Sequence, residues 1–360
     1  MKKTKKIKSF LLKMLTNKKA VSFDINNSKS VLILKYDRIG DMVVTTPLFR
    51  ELKSSYPNIK ISVLASNANK DVIKHNPFIH KIYTNYKNSI LKDLPTLLSL
   101  RKQAFDVCIE LEHSVIPHAI FRLKIIKPKK IISIHKDGRY GVKGSELKLY
   151  DYFTNKDKKN HFGKIWLDTL IFFGISPVSN KYDFFLSKIE KDRAINFSST
   201  LGDAIKIGVN LEGSFKEKRI QEHQLKQICM GLYAINKKIK IVILSNPKKN
   251  SQVKAIINKF QLKFVFASYI THTINDVAAL IEQLDLIITP DTSIVHIAGA
   301  FDKPVISIHE NNKDSFRLWA PISSLSHTVF AKSDYGIFDY SVDEIIQSTK
   351  KMLSKMELDL

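Results

Sequence analysis

The sequence predicts an α/β protein built from two doubly wound parallel sheets. Short runs rich in Val, Ile and Leu alternate with helical stretches along most of the chain, and this alternation stops once and then restarts. The length of 360 residues, at roughly 150 residues per domain, also favours two domains. We therefore expect two successive units of similar size.

The composition is that of a globular protein with an excess of lysine. Hydrophobic residues make up 44% of the chain, and 58 Lys and Arg against 34 Asp and Glu give a formal charge of +24. These values exclude disordered and low-complexity classes. They predict an anionic partner, which could be a nucleic acid, an acidic membrane surface or a phosphorylated substrate. Cys108 and Cys229 stand singly, without metal-binding spacing, which fits a reducing cytosol.

Residues 1–29 read as a basic amphipathic leader. Lysines surround five apolar residues at helical spacing, and no acidic residue occurs before residue 20. The apolar positions are Ile7, Phe10, Leu11, Met14 and Leu15. Two readings stay open, a membrane-surface anchor on anionic lipid or a solvated leader. Since no apolar run approaches the roughly 18 residues of a membrane span, the first reading predicts a cytoplasmic protein that is peripheral on the inner membrane face.

Residues 30–180 read as the first α/β unit. Its strands are predicted at 31–35, 60–64, 81–83, 106–111 and 130–134. Its helices are predicted at 47–56, 90–102 and 162–173. The basic, glycine-bearing stretch 135–159 is expected to be irregular.

A charged segment, 181–203, reads as a linker, and residues 204–340 repeat the alternation. The second set of strands is predicted at 206–210, 240–244, 263–266, 285–289 and 304–309. Helices are predicted at 224–235, 250–260, 274–284 and 292–301. A terminal helix within 341–360 could pack on either unit. Because ligands of such sheets bind beyond the carboxyl ends of the strands, function is expected in the strand-to-helix loops, around a cleft between the units.

The loop after the first strand, residues 36–41, is the first candidate. Gly40 permits a tight turn, and Asp41 then lies at or near a helix start. A carboxylate there can accept a proton from a bound hydroxyl, as a general base does. Alternatively it caps the helix, and Thr46-Pro47 offers a competing helix start. A G-x-G-x-x-G dinucleotide fingerprint is absent from the sequence.

The second candidate is the loop 210–219, after the first strand of the second unit. The small residues Gly213 and Ser214 let a ligand approach the backbone, and Lys218 and Arg219 could meet a diphosphate. A solvated run of charges explains the same pattern equally well.

The third candidate is the strand-to-helix junction 289–300. Asp291 is a natural cap, which would leave the amides of Thr292 and Ser293 in the first turn, where the helix dipole favours an anion. Thr292 and His296 share one helix face at spacing i, i+4. This favours a phosphate site, and a satisfied core histidine is the alternative.

The sequence contains no D-x-D tripeptide of the kind that often chelates a metal on nucleotide phosphates; Glu110-Leu111-Glu112 comes nearest. We therefore expect phosphate binding without a metal, by lysine and helix dipoles. Three glycines, at 138, 141 and 144, alternate with Arg139 and Lys143 and suggest a mobile basic loop, a lid or an acceptor contact.

Taken together, these loops resemble glycosyltransferase family 9, the bacterial heptosyltransferases of lipopolysaccharide core assembly. The resemblance covers about residues 30–330. Its amino-terminal part runs through 31–41, Thr45-Thr46-Pro47, Leu52-Lys53, Pro57 and Asn76-Pro77. Its carboxyl-terminal part runs through 291–296, Ala298, Ala300 and Pro304.

The resemblance implies a GT-B fold, in which two Rossmann-like doubly wound domains face across a cleft, and transfer of a sugar from a nucleotide donor with inversion. It makes Asp41 the general base, Lys218 the cation on the donor diphosphate and Asp291 a neighbour of the donor sugar. Thr292, Ser293 and His296 would hold the diphosphate. Further donor contacts are expected at Gly213, Ser214 and Arg219. Acceptor contacts are expected at Arg38, Glu112, Arg139 and Lys143.

The chain departs from the family pattern at three places. K-R-W-P is replaced by Lys-Arg-Ile-Gln at 218–221, and the usual D-[ST]-G is Asp-Thr-Ser at 291–293. A strand that usually ends in glycine ends in His309-Glu310. All three changes fall on the side expected to bind the donor.

We therefore expect an inverting, metal-independent glycosyltransferase. It would move heptose from ADP-heptose onto a phosphorylated inner-core acceptor of lipopolysaccharide or lipooligosaccharide, with the nucleotide sugar as substrate and no cofactor. The alternative is another nucleotide sugar, used for capsule, O-antigen or protein glycosylation. A basic nucleic-acid-binding protein would interleave stacking aromatics with its basic patches. Here the lysines flank the cleft loops and the leader, so no nucleic-acid partner is expected.

Overall fold

Two compact units, divided between Asn180 and Lys181, make up the chain. The computed structural model describes residues 9–10, 12–14, 16–86, 90–139, 141–155, 157, 159–213 and 215–356. Within these residues the strands form one six-stranded sheet in each unit. All the strand pairs in both sheets are parallel. The predicted α/β class with two doubly wound parallel sheets is therefore confirmed.

The sheet of the first unit has the strand order β3-β2-β1-β4-β5-β6. Its strands are β1 Ser30–Leu34, β2 Lys60–Ser66, β3 Lys81–Asn85, β4 Val107–Glu110, β5 Lys130–Ile134 and β6 Tyr152–Thr154. Its helices are α1 Ile39–Ser55, α2 Ile90–Lys102, α3 Pro117–Ile126 and α4 Phe162–Leu167. Short 3-10 turns lie at Ile25–Asn27, Lys70–Ile73, Gly144–Glu146 and Asp168–Phe173.

The sheet of the second unit has the order β12-β11-β10-β7-β8-β9, which is the same winding. Its strands are β7 Ile205–Asn210, β8 Ile239–Leu244, β9 Val265–Ala267, β10 Leu286–Pro290, β11 Val305–His309 and β12 Ser326–Phe330. Its helices are α5 Lys188–Thr200, α6 Glu222–Ile235, α7 Asn250–Phe260, α8 Ile274–Glu282, α9 Ser293–Ala300, α10 Lys313–Trp319 and α11 Val342–Lys355. Short 3-10 turns lie at Lys216–Lys218 and Pro247–Lys249.

Each sheet contains one point where the strand order changes direction. In the first unit this point lies between the neighbouring strands β1 and β4, and in the second between β7 and β10. The chain leaves such a pair of strands toward opposite faces of the sheet, which opens a crevice beyond their carboxyl ends. The loops after β1, β4, β7 and β10 are therefore the ones that the fold places at ligand-binding positions.

The strands are apolar on both faces because helices cover both. In β1, residues 31–34 are all at most 1% exposed, so the run is continuous rather than alternating, as expected for a buried parallel sheet. The terminal helix α11 packs on α6 in the second unit. A Cβ at Gly231 of α6 would lie 2.1 Å from Cδ1 of Ile346, so glycine permits this close approach. This settles the unit on which the terminal helix packs.

The first helix begins eight residues earlier than predicted. It starts at Ile39 and carries Pro47 in its interior, whereas Thr46-Pro47 was expected to start it. Proline has no N–H to donate to the carbonyl four residues back. Here that carbonyl, of Val43, accepts a hydrogen bond from the Thr46 hydroxyl at 2.7 Å. The helix therefore continues through the proline, and Asp41 lies in its first turn.

The segment predicted as a linker, 181–203, contains the helix α5. Ser187 caps α5 by accepting a hydrogen bond from the Glu190 N–H, while the Glu190 carboxylate accepts one from the Ser187 N–H at 2.7 Å. Helix α5 packs on α8, with Arg193 and Asp276 joined at 2.7 Å. Its charged composition reflects a solvated outer face, so residues 188–200 belong to the second unit. Four further elements, α3, β6, α10 and β12, are not predicted from the sequence.

The described part of the leader packs against the first unit. Residues 9–10 and 12–14 are helical, and Leu12, 7% exposed, belongs to a hydrophobic cluster with residues of α2 and α3. Lys13 pairs with Glu146 at 2.6 Å and Lys18 with Asp151 at 2.5 Å. Phe10 and Met14 point away from this cluster, at 63% and 57% exposure. Residues 1–8, 11 and 15 of the predicted leader lie outside the described residues.

Candidate active site

In the first unit, Asp41 and the loop after β1 form an ion-paired cluster around Lys35. The Lys35 ammonium lies 2.9 Å from Oδ2 of Asp37 and 3.5 Å from Oδ1 of Asp41. Asp41 is held there because it occupies the first turn of α1, six residues after Lys35. One cation therefore serves two carboxylates at the switch point of the sheet.

Neutral groups fix the position of Lys35. Its side chain is 2% exposed, and its ammonium lies 4.0 Å from the ring centre of Trp166, which belongs to α4. The Asn69 amide donates hydrogen bonds to the backbone carbonyls of Lys35 at 3.3 Å and Arg38 at 3.4 Å. The backbone at both ends of the loop is thus tied to one side chain.

Burial gives Asp41 the character of a base. Burial raises the pKa of Asp41 because it disfavours the charged form; Lys35 opposes this shift, and the negative charge of Asp37 adds to it. A carboxylate whose pKa is raised holds an abstracted proton better than one with an ordinary pKa. The first turn of α1 thus carries a carboxylate suited to accept a proton from a hydroxyl.

Glu112, in the loop after β4, has a strongly raised pKa. Burial, followed by the charge of Asp37, raises the pKa of Glu112 to about 9. Glu112 is a close neighbour of Asp37 and contributes to lowering the pKa of Asp37. Although burial of Asp37 acts in the opposite direction, Lys35 and Glu112 together lower the pKa of Asp37. Asp37 therefore stays ionised beside Lys35.

A second ion pair supports the loop that carries Glu112. Glu110 and Lys136 pair where both side chains are at most 1% exposed. The Lys136 ammonium also donates to the backbone carbonyl of Glu112 at 2.6 Å, and the Glu112 N–H donates to Glu110 at 3.0 Å. The Glu110-Leu-Glu112 segment is thus an anchored loop.

The expected acceptor contacts fall into two groups. Arg38 is exposed, immediately precedes α1, and its charge opposes the rise in the pKa of Asp41. Together with Glu112 it lies around the Asp41 cluster. Arg139 and Lys143 are exposed on the loop after β5, where residues 139 and 142 form a β-bridge and Val142 is buried.

In the second unit, Lys218 lies between two acids at the switch point. It ends the short 3-10 turn after β7, and its ammonium lies 2.9 Å from Oε1 of Glu310 and 3.9 Å from Oδ2 of Asp291. Asp291 directly follows β10 and Glu310 directly follows β11. The Lys218 side chain is 15% exposed, so it is shielded but not sealed from a ligand.

Thr292, and not Asp291, caps α9. The Thr292 hydroxyl accepts a hydrogen bond from the Ile294 N–H at 3.3 Å. The Asn210 amide donates to Thr292 at 3.3 Å and to the Thr289 hydroxyl at 2.9 Å, which joins the ends of β7 and β10. The expected Asp291 cap is wrong because its carboxylate faces Lys218 instead.

The other residues predicted on α9 have different surroundings. Ser293 is the first residue of the helix, and its backbone belongs to the turn that attracts anions. His296 is 5% exposed, with its ring 6.1 Å from that of Tyr182 and 5.9 Å from that of Trp319. Thr292 therefore lies in a polar network, whereas His296 lies among aromatic rings.

The loop 211–220 packs tightly on itself. A Cβ at Gly213 would lie 1.9 Å from the backbone oxygen of Lys218, so glycine is required where the loop folds back. Glu212 pairs with Arg219 at 3.6 Å and with Lys249 at 2.5 Å. Ser214 lies outside the described residues.

Several members of these clusters are not predicted as site residues from the sequence. Lys35 and Asn210 were assigned to strands, although each side chain stands at a strand end where switch-point loops begin. Lys249 lies far from the motif in sequence. His309 was noted as a departure and proves to be 3% exposed, and burial lowers the pKa of its imidazole. The signal that could have found the two strand-end residues is their position directly before the candidate loops.

The described residues contain no group of three or more His, Cys, Asp and Glu side chains arranged to hold a metal ion. Across that same part of the chain, no helix is both long and apolar enough to cross a membrane.

The two sheets, each with a polar cluster at its switch point, define a two-unit Rossmann-like α/β protein. A model of glycosyltransferase family 9 (heptosyltransferase) matches residues 97–334, about two-thirds of the chain. The chain therefore belongs to this family, and it is a heptosyltransferase-type glycosyltransferase of the lipopolysaccharide core family. This confirms the resemblance found in the sequence.

Individual known proteins resemble this chain in sequence and in fold. A protein of Escherichia coli K12, provisionally named lipopolysaccharide heptosyltransferase 4, is 23% identical over 333 residues, covering 90% of this chain and 87% of its own. The crystal structure of a family 9 glycosyltransferase from Veillonella parvula has a TM-score of 0.77 at 17% identity and covers 94% of this chain and 100% of its own. The structure of the E. coli ADP-heptose lipopolysaccharide heptosyltransferase II has a TM-score of 0.73 at 16% identity. It covers 91% of this chain and 99% of its own. These likenesses confirm the GT-B fold.

Proposed function

We propose that this enzyme transfers heptose from ADP-heptose, with inversion, onto a phosphorylated inner-core acceptor of lipopolysaccharide or lipooligosaccharide. The observation that carries the proposal is that the two switch points hold functional groups with complementary chemical roles. One holds a partly buried carboxylate whose pKa is raised, and the other holds a shielded lysine beside a helix start. The description of the E. coli relative as an ADP-heptose enzyme supports the choice of donor.

In the proposed reaction, Asp41 accepts the proton of an acceptor hydroxyl as its oxygen attacks the anomeric carbon of the donor sugar. The bond between that carbon and the diphosphate oxygen breaks, and the nucleoside diphosphate leaves. A single displacement from the opposite face inverts the configuration. Arg38, Glu112, Arg139 and Lys143 are the proposed contacts to the acceptor, and basic side chains suit its phosphates.

Lys218 and the start of α9 stabilise the leaving diphosphate in this proposal. A diphosphate competes with Glu310 and Asp291 for the Lys218 ammonium, while the first-turn N–H groups at Thr292 and Ser293 donate to its oxygens. His296 and Arg219 complete the diphosphate site, Gly213 lets the backbone approach, and Asp291 contacts the donor sugar. Because lysine and helix amides neutralise the developing charge, the proposal includes neither a metal nor a cofactor.

The proposed place of action is the cytoplasmic face of the inner membrane. The leader and its surroundings are rich in lysine, and Phe10 and Met14 are exposed beside them. Such a surface suits an anionic bilayer, where a lipid-linked acceptor would be found.

The experiment that tests the function is donor turnover on extracted lipid saccharide. Purified enzyme is given ADP-heptose or one of a panel of other nucleotide sugars, and product is followed by mass spectrometry, with donor binding followed by the rise in melting temperature. The proposal predicts transfer from ADP-heptose. Transfer from another nucleotide sugar alone would replace the donor assignment, and transfer from no donor on any acceptor would overturn the function.

A further inference from the structure

Three acids, Asp37, Asp41 and Glu112, lie with Lys35 at the switch point of the first sheet. A reaction that needs one general base does not by itself explain why Lys35 contacts two of these acids. Lys35 contacts Asp37 and Asp41 together, with the shorter distance, 2.9 Å against 3.5 Å, to Asp37. Glu112, whose pKa is raised to about 9, is a close neighbour of Asp37 and contributes to lowering the pKa of Asp37. Asp41, the proposed base, therefore shares the electrostatic stabilisation by the Lys35 ammonium with Asp37.

We propose that Lys35 is the positioning residue of Asp41, and that Asp37 limits the share of the Lys35 charge that Asp41 receives. This inference rests on the proposed role of Asp41 as the base. Lys35 holds one carboxylate oxygen of Asp41, so the other oxygen is left to meet a hydroxyl. Asp37 competes for the same ammonium, to which it lies closer than Asp41 does.

The groups around Lys35 hold its ammonium in place and shield it from water. Burial alone would lower the pKa of Lys35, but the charges of Asp37 and Asp41 outweigh burial and raise it. The ammonium is therefore charged throughout the physiological range, and the Trp166 ring closes one side of it. The Asn69 amide also binds the backbone carbonyl of Lys35. If the Asp41 carboxylate moved away, Lys35 could not move with it without breaking these contacts.

The charged groups around Asp41 come from two loops. Lys35, Asp37 and Arg38 belong to its own loop, and all three act on the pKa of Asp41. Glu112 and His113, after β4, act on Asp37, whereas α4 contributes the uncharged Trp166 to the lysine. Lys35 and Asp37 thus shift the pKa of Asp41 in opposite directions.

Two substitutions consequently have opposite effects. Lys35→Met removes the cation and leaves Asp41 beside Asp37, so the pKa of Asp41 should rise by about one pH unit or more. Asp37→Asn removes the competing negative charge, so the pKa of Asp41 should fall. Lys35→Arg keeps the positive charge and should hold the Asp41 titration near that of wild type.

The test measures the Asp41 titration with and without turnover. Carbon-13 NMR of the full-length protein labelled at aspartate side-chain carboxyls, with the Asp41 signal assigned from Asp41→Asn, gives its pKa directly. In parallel, kcat/KM is measured as a function of pH with ADP-heptose and extracted acceptor, and the acidic limb of this pH profile is compared between the variants. Activity requires ionised Asp41, so this limb should move to higher pH in Lys35→Met and to lower pH in Asp37→Asn.

Lys129→Met is the matched control, because it removes another Lys–Asp pair of the same unit, with Asp106 at 2.7 Å. It should leave the Asp41 signal and the acidic limb in place. If Lys35→Met does not fold, the conservative Asp37→Asn carries the test. An Asp41 pKa that none of the variants moves would overturn the inference. Absence of turnover in wild type would overturn the proposed function instead, while the NMR titration still tests the positioning.

Discussion

Lys218 decides the donor half of the proposed reaction because it is a shielded cation at the switch point of the second sheet. Lys218→Ala should weaken ADP binding by about 10- to 100-fold, since a charge-assisted hydrogen bond contributes about 1.5–3 kcal/mol. The loss of the lysine also leaves Glu310 and Asp291 facing the diphosphate without a counter-charge. Isothermal titration calorimetry with ADP measures the change.

Lys216 provides the control for this prediction, since it lies in the same 3-10 turn and is exposed. Lys216→Ala should bind ADP as wild type does. Equal losses in the two variants would mean that general positive charge, and not the position of Lys218, determines affinity.

Helix α5 shows how a short capped element can hide in a charged segment. Ser187 and Glu190 form a capping box, in which each side chain accepts a hydrogen bond from the other's N–H. Ser187→Ala should lower the free energy of unfolding by about 1 kcal/mol, because one N–H of the first turn loses its acceptor. Urea denaturation followed by circular dichroism gives the value. Ser187→Thr retains the acceptor and should cost less; equal losses in both variants would contradict the capping role.

The strands could be predicted more securely than the starts of the helices. Buried parallel strands leave a direct signal, a continuous apolar run such as residues 31–34, and the two-sheet arrangement followed from it. The start of α1 left no such signal, because Thr46 satisfies the carbonyl that Pro47 cannot. The α5 segment looked like a linker because its charged residues outnumber its buried ones, although its S-x-x-E signature was present in the sequence.

The candidate site was only partly predictable for a related reason. Asp41, Lys218 and Asp291 stand in recognisable loops, and the structure finds all three at switch points. Lys35 directly follows β1 and Asn210 ends β7, so the apolar patterns of the two strands concealed both residues. The pairing of Asp37 with Glu112 joins residues 75 positions apart, and strand order, which sequence pattern does not fix, brings them together.

The whole chain carries a formal charge of +24, and the proposed contact with an anionic bilayer can be tested at the leader. Leu12 is buried in the first unit, so deleting the leader would also expose its core. Exchanging Phe10 and Met14 for serine leaves Leu12 in place and should weaken binding to phosphatidylglycerol vesicles about tenfold or more, since two apolar side chains lose their burial. Vesicle co-sedimentation measures this binding.

Ile171 serves as the control for the leader, because it is an exposed apolar residue of the same unit, at 66% exposure. Ile171→Ser should co-sediment as wild type does. Unchanged binding of the Phe10 and Met14 double variant would contradict the leader as the membrane contact.

The proposed sugar transfer depends most on Asp41 as its general base. The direct measurement is the rate of heptose transfer from ADP-heptose to extracted lipid saccharide by wild type and by Asp41→Asn, with ADP affinity measured on the same samples. General-base catalysis contributes about 10²- to 10⁴-fold, so turnover should fall by that factor while ADP binds as before. Wild-type transfer rates in Asp41→Asn would contradict the account.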